Sequence, residues 1–445
     1  MTQVVPPGRT PVGEELDRLR RLTGQLMAAQ VDSPAELARY LSVQDRGIPV
    51  PEQQVRAAIR GRRVLVTGGS GCIGTELLRT LAFLQPAVLM SAANTPPSHS
   101  VTGVRYLHLD VGDRRRTEDC LREVRPDVVF HLAAQRDPGR AETEAALTVR
   151  TNVLGTRNVA EAAERAGVRD LVYASTGKAL RPWTDDVYAE SKRMGEYLLC
   201  RTAARGRVRC TGVRFTHVVD NSIVLNRFRS ACHLGLPLRL HSAETVFYVQ
   251  SAKESAQLML VALAESTHRP ASELRMFMIR DLGWPVSLLD LALGIIQESG
   301  SDSPLYVAGY DPGYEQAPYP GLYDPAVAGD VSPLINAIEA HEAGESLSPA
   351  VDMIPVRAAD SPAFDSFLAE AERRCAPPDD HAVREVFQSA AWALLEATAQ
   401  TTSPAVLHRI TGLTAAHRPT MNPNHRRMDD MLRRFAGLTQ RVHSS

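Results

Sequence analysis

The sequence lacks the features that would mark a secreted, membrane-spanning or metal-built protein. Its six cysteines, Cys72, Cys120, Cys200, Cys210, Cys232 and Cys375, form no C-x-x-C pair and show no regular spacing. That excludes a zinc ribbon or a disulfide framework and leaves reduced thiols in a cytosol as the simplest reading. No run reaches the about 18 apolar residues of a membrane helix. The opening MTQVVPPGRTPVGEELDR holds no apolar core of signal-peptide length. Neither charge is in excess: 50 basic residues face 51 acidic ones, for a net charge of −1. A global pull towards nucleic acid or an anionic membrane is therefore not expected. The basic stretch at His425, Arg426, Arg427, Arg433 and Arg434 is interrupted by Asp429 and Asp430 and has no stacking aromatics, so it reads as a solvated helix face. No internal repeat is visible, and no His/Cys/carboxylate group has metal spacing. The expectation is a cytoplasmic protein with no metal, nucleic-acid or membrane partner.

What is present is a chain of 445 residues, 44% hydrophobic and 23% charged, too long for one ordinary domain. Residues 1–12 are rich in Pro and Gly and are expected to be disordered. Leu16, Leu19, Leu22, Leu26 and Met27 predict a helix from Gly13 to about Gln30, and Ala35 to Leu41 a second one behind Ser33 as N-cap. These two helices are expected to pack on the core. From Arg62 onward strands and helices alternate. RRVLVTG, AVLM, VRYLHLDV, DVVFHLAA and DLVYAST read as strands, and one helix is predicted from about Ala141 to Ala166. Such alternation implies an α/β fold with a doubly wound parallel sheet of the Rossmann kind. The region after Val213 is less regular, and helices are predicted at 361–375, 382–398 and 424–438. The expected domains are a helical extension (1–60), a Rossmann domain (61–220), a smaller substrate region (221–355) and a helical C-terminal appendage (356–445).

Thr67-Gly68-Gly69-Ser70-Gly71-Cys72-Ile73-Gly74 lies between a predicted strand and a predicted helix. In that setting Gly68 takes the positive φ of the turn and Gly71 lets the backbone approach a pyrophosphate. Gly74 lets the helix pack close, and the first-turn N–H groups of Cys72 and Ile73 face the phosphates. After the second strand, Met90-Ser91-Ala92-Ala93-Asn94 offers neither the carboxylate that binds an adenosine ribose nor an arginine for a 2′-phosphate. NAD and NADP both stay open, NAD being favoured.

Tyr188-Ala189-Glu190-Ser191-Lys192 is a Y-x-x-x-K, which puts phenol and ammonium on one helix face. A neighbouring ammonium favours the phenolate, which would prepare Tyr188 to exchange a proton with a substrate hydroxyl as hydride moves. With TGGSGCIG, LDVGD, PDVVFHLAAQ, TNVLGTRNVAEAA, LVYASTGKALRP, YAESKRMGE and VRF in this order, the sequence resembles the extended short-chain dehydrogenase/reductases. Within them it is most similar to the capsular-polysaccharide branch of nucleotide-sugar dehydratases and epimerases, over roughly residues 60–265. The resemblance implies that Asp110 and Val111 hold the adenine and that Ala133 and Ala134 line the cofactor. It gives Asn152 a structural or relay role, Thr176 a hydrogen bond to the reacting hydroxyl, Tyr188 the acid/base role, and Lys192 the nicotinamide ribose. It also implies a homodimer joined through helices flanking the Tyr/Lys segment.

The sequence departs from that family at several points. The dehydratases of the branch carry S-T-D-K-A, whose Asp and Lys assist elimination of water. Here Ser175-Thr176-Gly177-Lys178-Ala179 keeps Lys178 and loses the acid. Two residues are inserted before Tyr188, bringing Asp185 and Asp186 near in what is expected to be a solvated loop. Val246 stands where an arginine usually contacts the nucleotide diphosphate. Gln135, Arg214, His217, Arg227 and Arg229 are the candidates for substrate contacts. The plain alternative is a surface ion pair for each arginine and a satisfied polar residue for His217. Three functions follow. The first is epimerisation, or dehydration, of a nucleotide-activated or related sugar through a transient ketone, with epimerisation favoured by the missing acid. The second is net reduction of a ketone, or oxidation of an alcohol, on a specialised metabolite. The third is a cofactor-binding scaffold without turnover.

Overall fold

The computed structural model describes residues 5, 9–29, 32–268, 271–310, 318–357 and 360–437. The opening expected to be disordered lies partly outside these residues, as do Gln30 and Leu438, the expected ends of two helices. By internal contacts the chain forms two units. One comprises Met1–Gly47, Thr216–Ser255 and Leu282–Gln316, and the other Ile48–Phe215, Ala256–Asp281 and Ala317–Ser445.

The larger unit is built on a sheet with nine strands among the described residues. In chain order they are β1 (Arg63–Thr67), β2 (Val88–Ala93), β3 (Val104–His108), β4 (Val128–His131), β5 (Asp170–Thr176), β6 (Arg209–Phe215), β7 (Leu274–Ile279), β8 (Gly344–Glu345) and β9 (Val351–Val356). Their spatial order is β8-β9-β7-β6-β5-β4-β1-β2-β3. From β3 to β7 every neighbouring pair is parallel, while β9 runs antiparallel to β7 and β8 antiparallel to β9. The strand order reverses between β1 and β4, the place where doubly wound sheets open a crevice for a ligand. Thr67 pairs with His131 there, so both strands deliver their last residues to the same rim. β5 is buried throughout and β4 likewise, as central parallel strands covered on both faces must be. β3 ends at His108, so Asp110 and Val111 lie in the loop after it and not in the longer strand expected.

The helices, in chain order, are α1 (Glu14–Ala29), α2 (Ser33–Ser42), α3 (Glu52–Ile59), α4 (Cys72–Phe83), α5 (Arg114–Val124), α6 (Pro138–Thr143), α7 (Ala145–Thr148), α8 (Gly155–Ala166), α9 (Val187–Ala204), α10 (Ile223–His233), α11 (Ala252–Ser266), α12 (Leu288–Glu298), α13 (Pro362–Arg374), α14 (Asp380–Thr401), α15 (Pro404–Leu413) and α16 (Pro423–Phe435). The single helix expected over 141–166 is broken: α6 and α7 lead into a π-helical stretch, Val149–Leu154, before α8 begins. Widening a helix by one residue costs hydrogen-bond geometry and is found mostly at functional positions. Here the stretch contains Asn152.

The domain limits expected at residues 60 and 355 do not match the packing. In the smaller unit Leu37, Tyr40 and Val43 share one apolar cluster with Val219, Leu225, Phe228, Leu291 and Ile295, so α2 completes a core with α10 and α12. Gly294 permits this, because a Cβ there would lie 2.6 Å from the Ser33 carbonyl oxygen. Ser33 is not the N-cap but the first helical residue, its Oγ 3.4 Å from Asp290 Oδ1. In the larger unit Phe364, Phe367, Phe387, Leu394 and Leu407 share a cluster with Val149, Val153, Met194 and Leu198. The C-terminal helices are thus part of the Rossmann unit, and α13 and α14 cover the face formed by the π-helical stretch and α9. α15 was not foreseen in the sequence.

Candidate active site

The glycine loop closes on itself before it meets anything else. Gly68 has φ +74° and donates its N–H to the Ala92 carbonyl at 2.8 Å, while Gly71 N–H donates back to the Gly68 carbonyl at 3.1 Å. A Cβ on Gly68 would sit 2.6 Å from Ala133 N, and one on Gly74 would sit 2.6 Å from Gly68 O and 2.7 Å from Gly69 Cα. Both glycines are therefore required by backbone contact. Gly71 differs: a Cβ there would meet only the Gly68 carbonyl, at 3.4 Å, so open space faces it at the N-terminus of α4. The N-terminus of α4 lies on this side, and a helix start of this kind suits an anion. Ala133 and Ala134, half-buried, follow β4 at the same rim. Asp110 accepts from Gly112 N–H at 2.9 Å and pairs with Arg150 at 2.7 Å. Buried Val111 uses its carbonyl to hold Asn158 Nδ2 at 3.0 Å. In β2 the buried Ser91 Oγ has no hydrogen-bond partner among the described residues and lies beneath Gly69, while Ser70 and Thr95 hydroxyls meet at 3.2 Å. These residues fit a dinucleotide.

A second set of bonds ties that rim to the Tyr188 helix. Asn152 Oδ1 accepts from Gln135 N–H at 2.8 Å, and its Nδ2 donates to the Gln135 carbonyl at 3.0 Å and to Ser191 Oγ at 2.9 Å. Ser191 Oγ in turn donates to the Tyr188 carbonyl at 2.7 Å. The π-helical stretch thus aims one carboxamide at the loop after β4 and at the first turns of α9. Below it, His131 is buried with Thr67 Oγ1 2.7 Å from Nδ1 and Thr156 Oγ1 3.0 Å from Nε2. Burial holds this imidazole neutral, its pKa pushed down to about 3, with the Lys192 charge adding to the effect.

Tyr188 and Lys192 lie on α9 as their spacing predicts, but their electrostatics differ from the expectation. Burial pushes the Tyr188 phenol up to about 12; a hydrogen bond with Thr176 and the charge of Arg136 oppose this, and Asp186 adds to it. Lys192 is buried, and burial pushes it down to about 7 against the pull of Glu196. Its Nζ sits 4.2 Å from the centroid of the Tyr173 ring. Lys192 is not among the charges acting on the phenol, and burial favours the protonated form of Tyr188 at neutral pH.

Asp186 is not in a solvated loop. It is buried, caps α9 by accepting from Ala189 N–H at 2.9 Å, and lies 3.5 Å from Lys178 Nζ. Asp185 is exposed. A Cβ on Gly177 would meet Leu334 Cδ2 at 2.7 Å, so the place of the missing acid is filled by leucine.

Arg214 is no anion receptor. It is 1% exposed and donates to Glu196 at 2.8 and 3.1 Å, to Glu339 at 2.8 Å twice, and to the Leu334 carbonyl at 3.2 Å. Ser175 Oγ donates to Glu196 Oε1 at 2.5 Å, which fixes this buried network directly under Thr176. Glu196 was missed in the sequence, although Lys192 and Glu196 stand four apart on α9 and share its face. Gln135 turns its side chain onto Asp137, with bonds of 2.6 and 3.0 Å. In the smaller unit His217 Nε2 lies 3.0 Å from Tyr40 Oη and 2.9 Å from Ser222 Oγ, with Phe247 edge-on to its ring. That is the satisfied polar residue of the plain alternative. Arg229 pairs with Glu298 at 3.1 Å on the surface, and Arg227 is exposed on α10. Among the described residues no group of His, Cys, Asp and Glu could hold a metal ion, and no helix is long and apolar enough to cross a membrane.

Sheet order, glycine loop and the Tyr188/Lys192 helix define a Rossmann fold of the extended short-chain dehydrogenase/reductase type. Within it, residues 64–315 match the model of the polysaccharide biosynthesis protein family, and the chain belongs to that family. It is 28% identical over 282 residues to the probable polysaccharide biosynthesis protein EpsC of Bacillus subtilis, covering 60% of this chain and 46% of that one. It is also 28% identical over 256 residues to the capsular polysaccharide biosynthesis protein CapD of Staphylococcus aureus, covering 54% and 41%. The chain thus spans less than half the length of these two relatives. The solved structure of Pen from Bacillus thuringiensis superposes with a TM-score of 0.55 at 21% identity over 67% of this chain and 89% of that one, a likeness of fold.

Proposed function

We propose that the chain binds NAD or NADP, NAD being favoured, on the glycine loop and epimerises a nucleotide-activated or related sugar through a transient ketone. The observation that carries this reading is the placing of Thr176, at the end of β5, beside the Tyr188 phenol, with Lys192 buried one turn further along α9. Cys72, Ile73 and Gly74 would hold the pyrophosphate, Asp110 and Val111 the adenine, Ala133 and Ala134 the ring system, and Lys192 the nicotinamide ribose. The bound dinucleotide supplies the hydride acceptor and donor. In the oxidative half, which comes first, Tyr188 must be the phenolate and takes the proton of a substrate hydroxyl as hydride leaves, a state that the cationic ring of a bound oxidised dinucleotide would favour. In the reductive half Tyr188 returns that proton to the carbonyl oxygen, and Thr176 Oγ1 holds that oxygen in place.

Epimerisation is preferred over dehydration for a structural reason. Elimination needs an acid and a base near the ketone, and Leu334 occupies the volume beside Gly177 where the acid would project. Lys178 is directed to Asp186, whose other oxygen caps α9. Net reduction of a ketone uses the same three residues and is the second reading. Protein purified without added cofactor and then denatured separates the two: stoichiometric released dinucleotide supports an internal redox cycle, and an empty site that exchanges dinucleotide freely supports net reduction. The Tyr188→Phe variant is expected to lose turnover and to keep dinucleotide binding by fluorescence titration; near-normal turnover would sink the mechanism. Our reading places the enzyme in the cytoplasm, acting on a small sugar or ketone.

A further inference from the structure

The turn that carries Tyr188 is fastened from the C-terminal helices. Val187 N–H, in the first turn of α9, donates to Glu142 Oε1 at 2.8 Å. Glu142 Oε2 accepts from Arg384 Nη1 of α14 at 2.8 Å, and Arg384 Nη2 donates to the Glu142 carbonyl at 2.5 Å. Glu142 has only 10% of its side chain exposed, so without Arg384 its charge would be stranded away from water. In the loop just before α9, buried Trp183 stacks on Trp392 of α14 with ring centroids 4.4 Å apart and planes 22° apart. The Arg427 guanidinium of α16 lies 4.0 Å from the centroid of the Trp392 ring. One turn further along α9, Arg193 donates to the Ala391 carbonyl at 3.3 Å. Tyr188 itself packs against the apolar cluster that these helices share.

A helix N-terminus leaves its first N–H groups without intrahelical partners, and whatever satisfies them sets the direction of the first turn. On α9 the work is divided. Asp186, local in sequence, takes Ala189 N–H. Glu142, whose carboxylate is held by a residue more than two hundred positions along the chain, takes Val187 N–H. The phenol follows the turn. We propose that α14 positions Tyr188 for proton transfer, Arg384 by fixing Glu142 against the first turn of α9 and Trp392 by stacking on Trp183. The proposal rests on Tyr188 as the proton donor. Arg384 and Trp392 are positioning residues: each acts on Tyr188 only through another residue.

The test uses the full-length protein with 13C at the ring Cζ of tyrosine, the Tyr188 resonance being identified by its loss in Tyr188→Phe. Arg384→Met and Trp392→Phe are each expected to move that resonance by more than its linewidth, and Tyr306, in the other unit, is expected to stay. Arg384→Lys, which keeps the charge, is expected to restore the Tyr188 position in large part. Trp392→Phe is also expected to remove the exciton band of the stacked indoles from the circular dichroism spectrum. An unmoved Tyr188 resonance in folded Arg384→Met and Trp392→Phe overturns the proposal. Should either variant lose its secondary-structure spectrum, Glu142→Gln is read in its place by the same criterion. The resonance reports position alone, so a failure of Tyr188 as proton donor would show separately, as retained turnover in Tyr188→Phe.

Discussion

Replacing Arg214 by Met should be among the most destabilising single changes in the larger unit, and the structure says why and by how much. Four charge-assisted bonds of 2.8 to 3.1 Å run from one guanidinium to the carboxylates of Glu196 and Glu339. Glu196 also accepts from Ser175 Oγ at 2.5 Å. Methionine fills much of the volume but leaves both carboxylates without their cation, and stranding a buried charge costs about 3–5 kcal/mol. Equilibrium urea unfolding at pH 7 measures this difference directly. The triple replacement Glu196→Gln, Arg214→Met, Glu339→Gln should recover part of the loss, since no charge is then left buried. A deficit under about 1 kcal/mol at pH 7 would refute the account.

Gly74→Ala places a methyl 2.6 Å from the Gly68 carbonyl, and backbone must yield. An overpacking penalty of about 1–3 kcal/mol concentrated in the loop weakens NADH binding about tenfold or more, readable by fluorescence titration; an unchanged Kd would count against the loop as the cofactor site. Lys192→Met should stabilise the fold at neutral pH. The folded lysine titrates near 7 against an ordinary 10.5, so the folded parent binds fewer protons than its unfolded chain between those values. Parent stability therefore rises across that window, and the advantage of the variant should shrink towards pH 10.5; a gap constant with pH argues against a desolvated lysine. Light scattering should give one chain, 48.6 kDa, because α13 and α14 already cover the face of α9 through which the family resemblance implied a second copy; a mass of twice that would require another contact surface.

How much of this was legible in the sequence depends on how far apart the interacting residues stand. The glycine loop, β1, β4, β5 and the Tyr188/Lys192 face are local patterns, with periods of two or four residues, and each sits where the sequence places it. The π-helical stretch was not legible, because one extra residue in a turn barely disturbs the apolar periodicity on either side of Asn152. Arg214 was misread for a different reason. A lone arginine in a sequence is most often exposed, and its partners lie 18 and 125 positions away. The same distance hid the joining of α2 to α12, whose close approach needs Gly294. Helix α15 has a clear Ser403 cap and Pro404 start but only ten residues, too short a window for a periodic signal to stand out.

Gly177 shows what the two sources say together. From the sequence alone it is a lost acid, which favours epimerisation over dehydration without showing what stands in its place. In the structure the space is taken by Leu334, and the obstruction is the tip of a flexible side chain at 2.7 Å and not backbone. An aspartate at 177 therefore requires the Leu334 side chain to move, while its backbone is fastened: the Leu334 carbonyl accepts from Arg214, and Leu334 N–H donates to Ser332 Oγ at 3.3 Å. The ion network that holds Ser175 thus also holds the backbone of the residue whose side chain stands in the acid's place. Gly177→Asp combined with Leu334→Ala is expected to eliminate water from a keto sugar faster than Gly177→Asp alone; equal rates would show that Leu334 does not obstruct the acid.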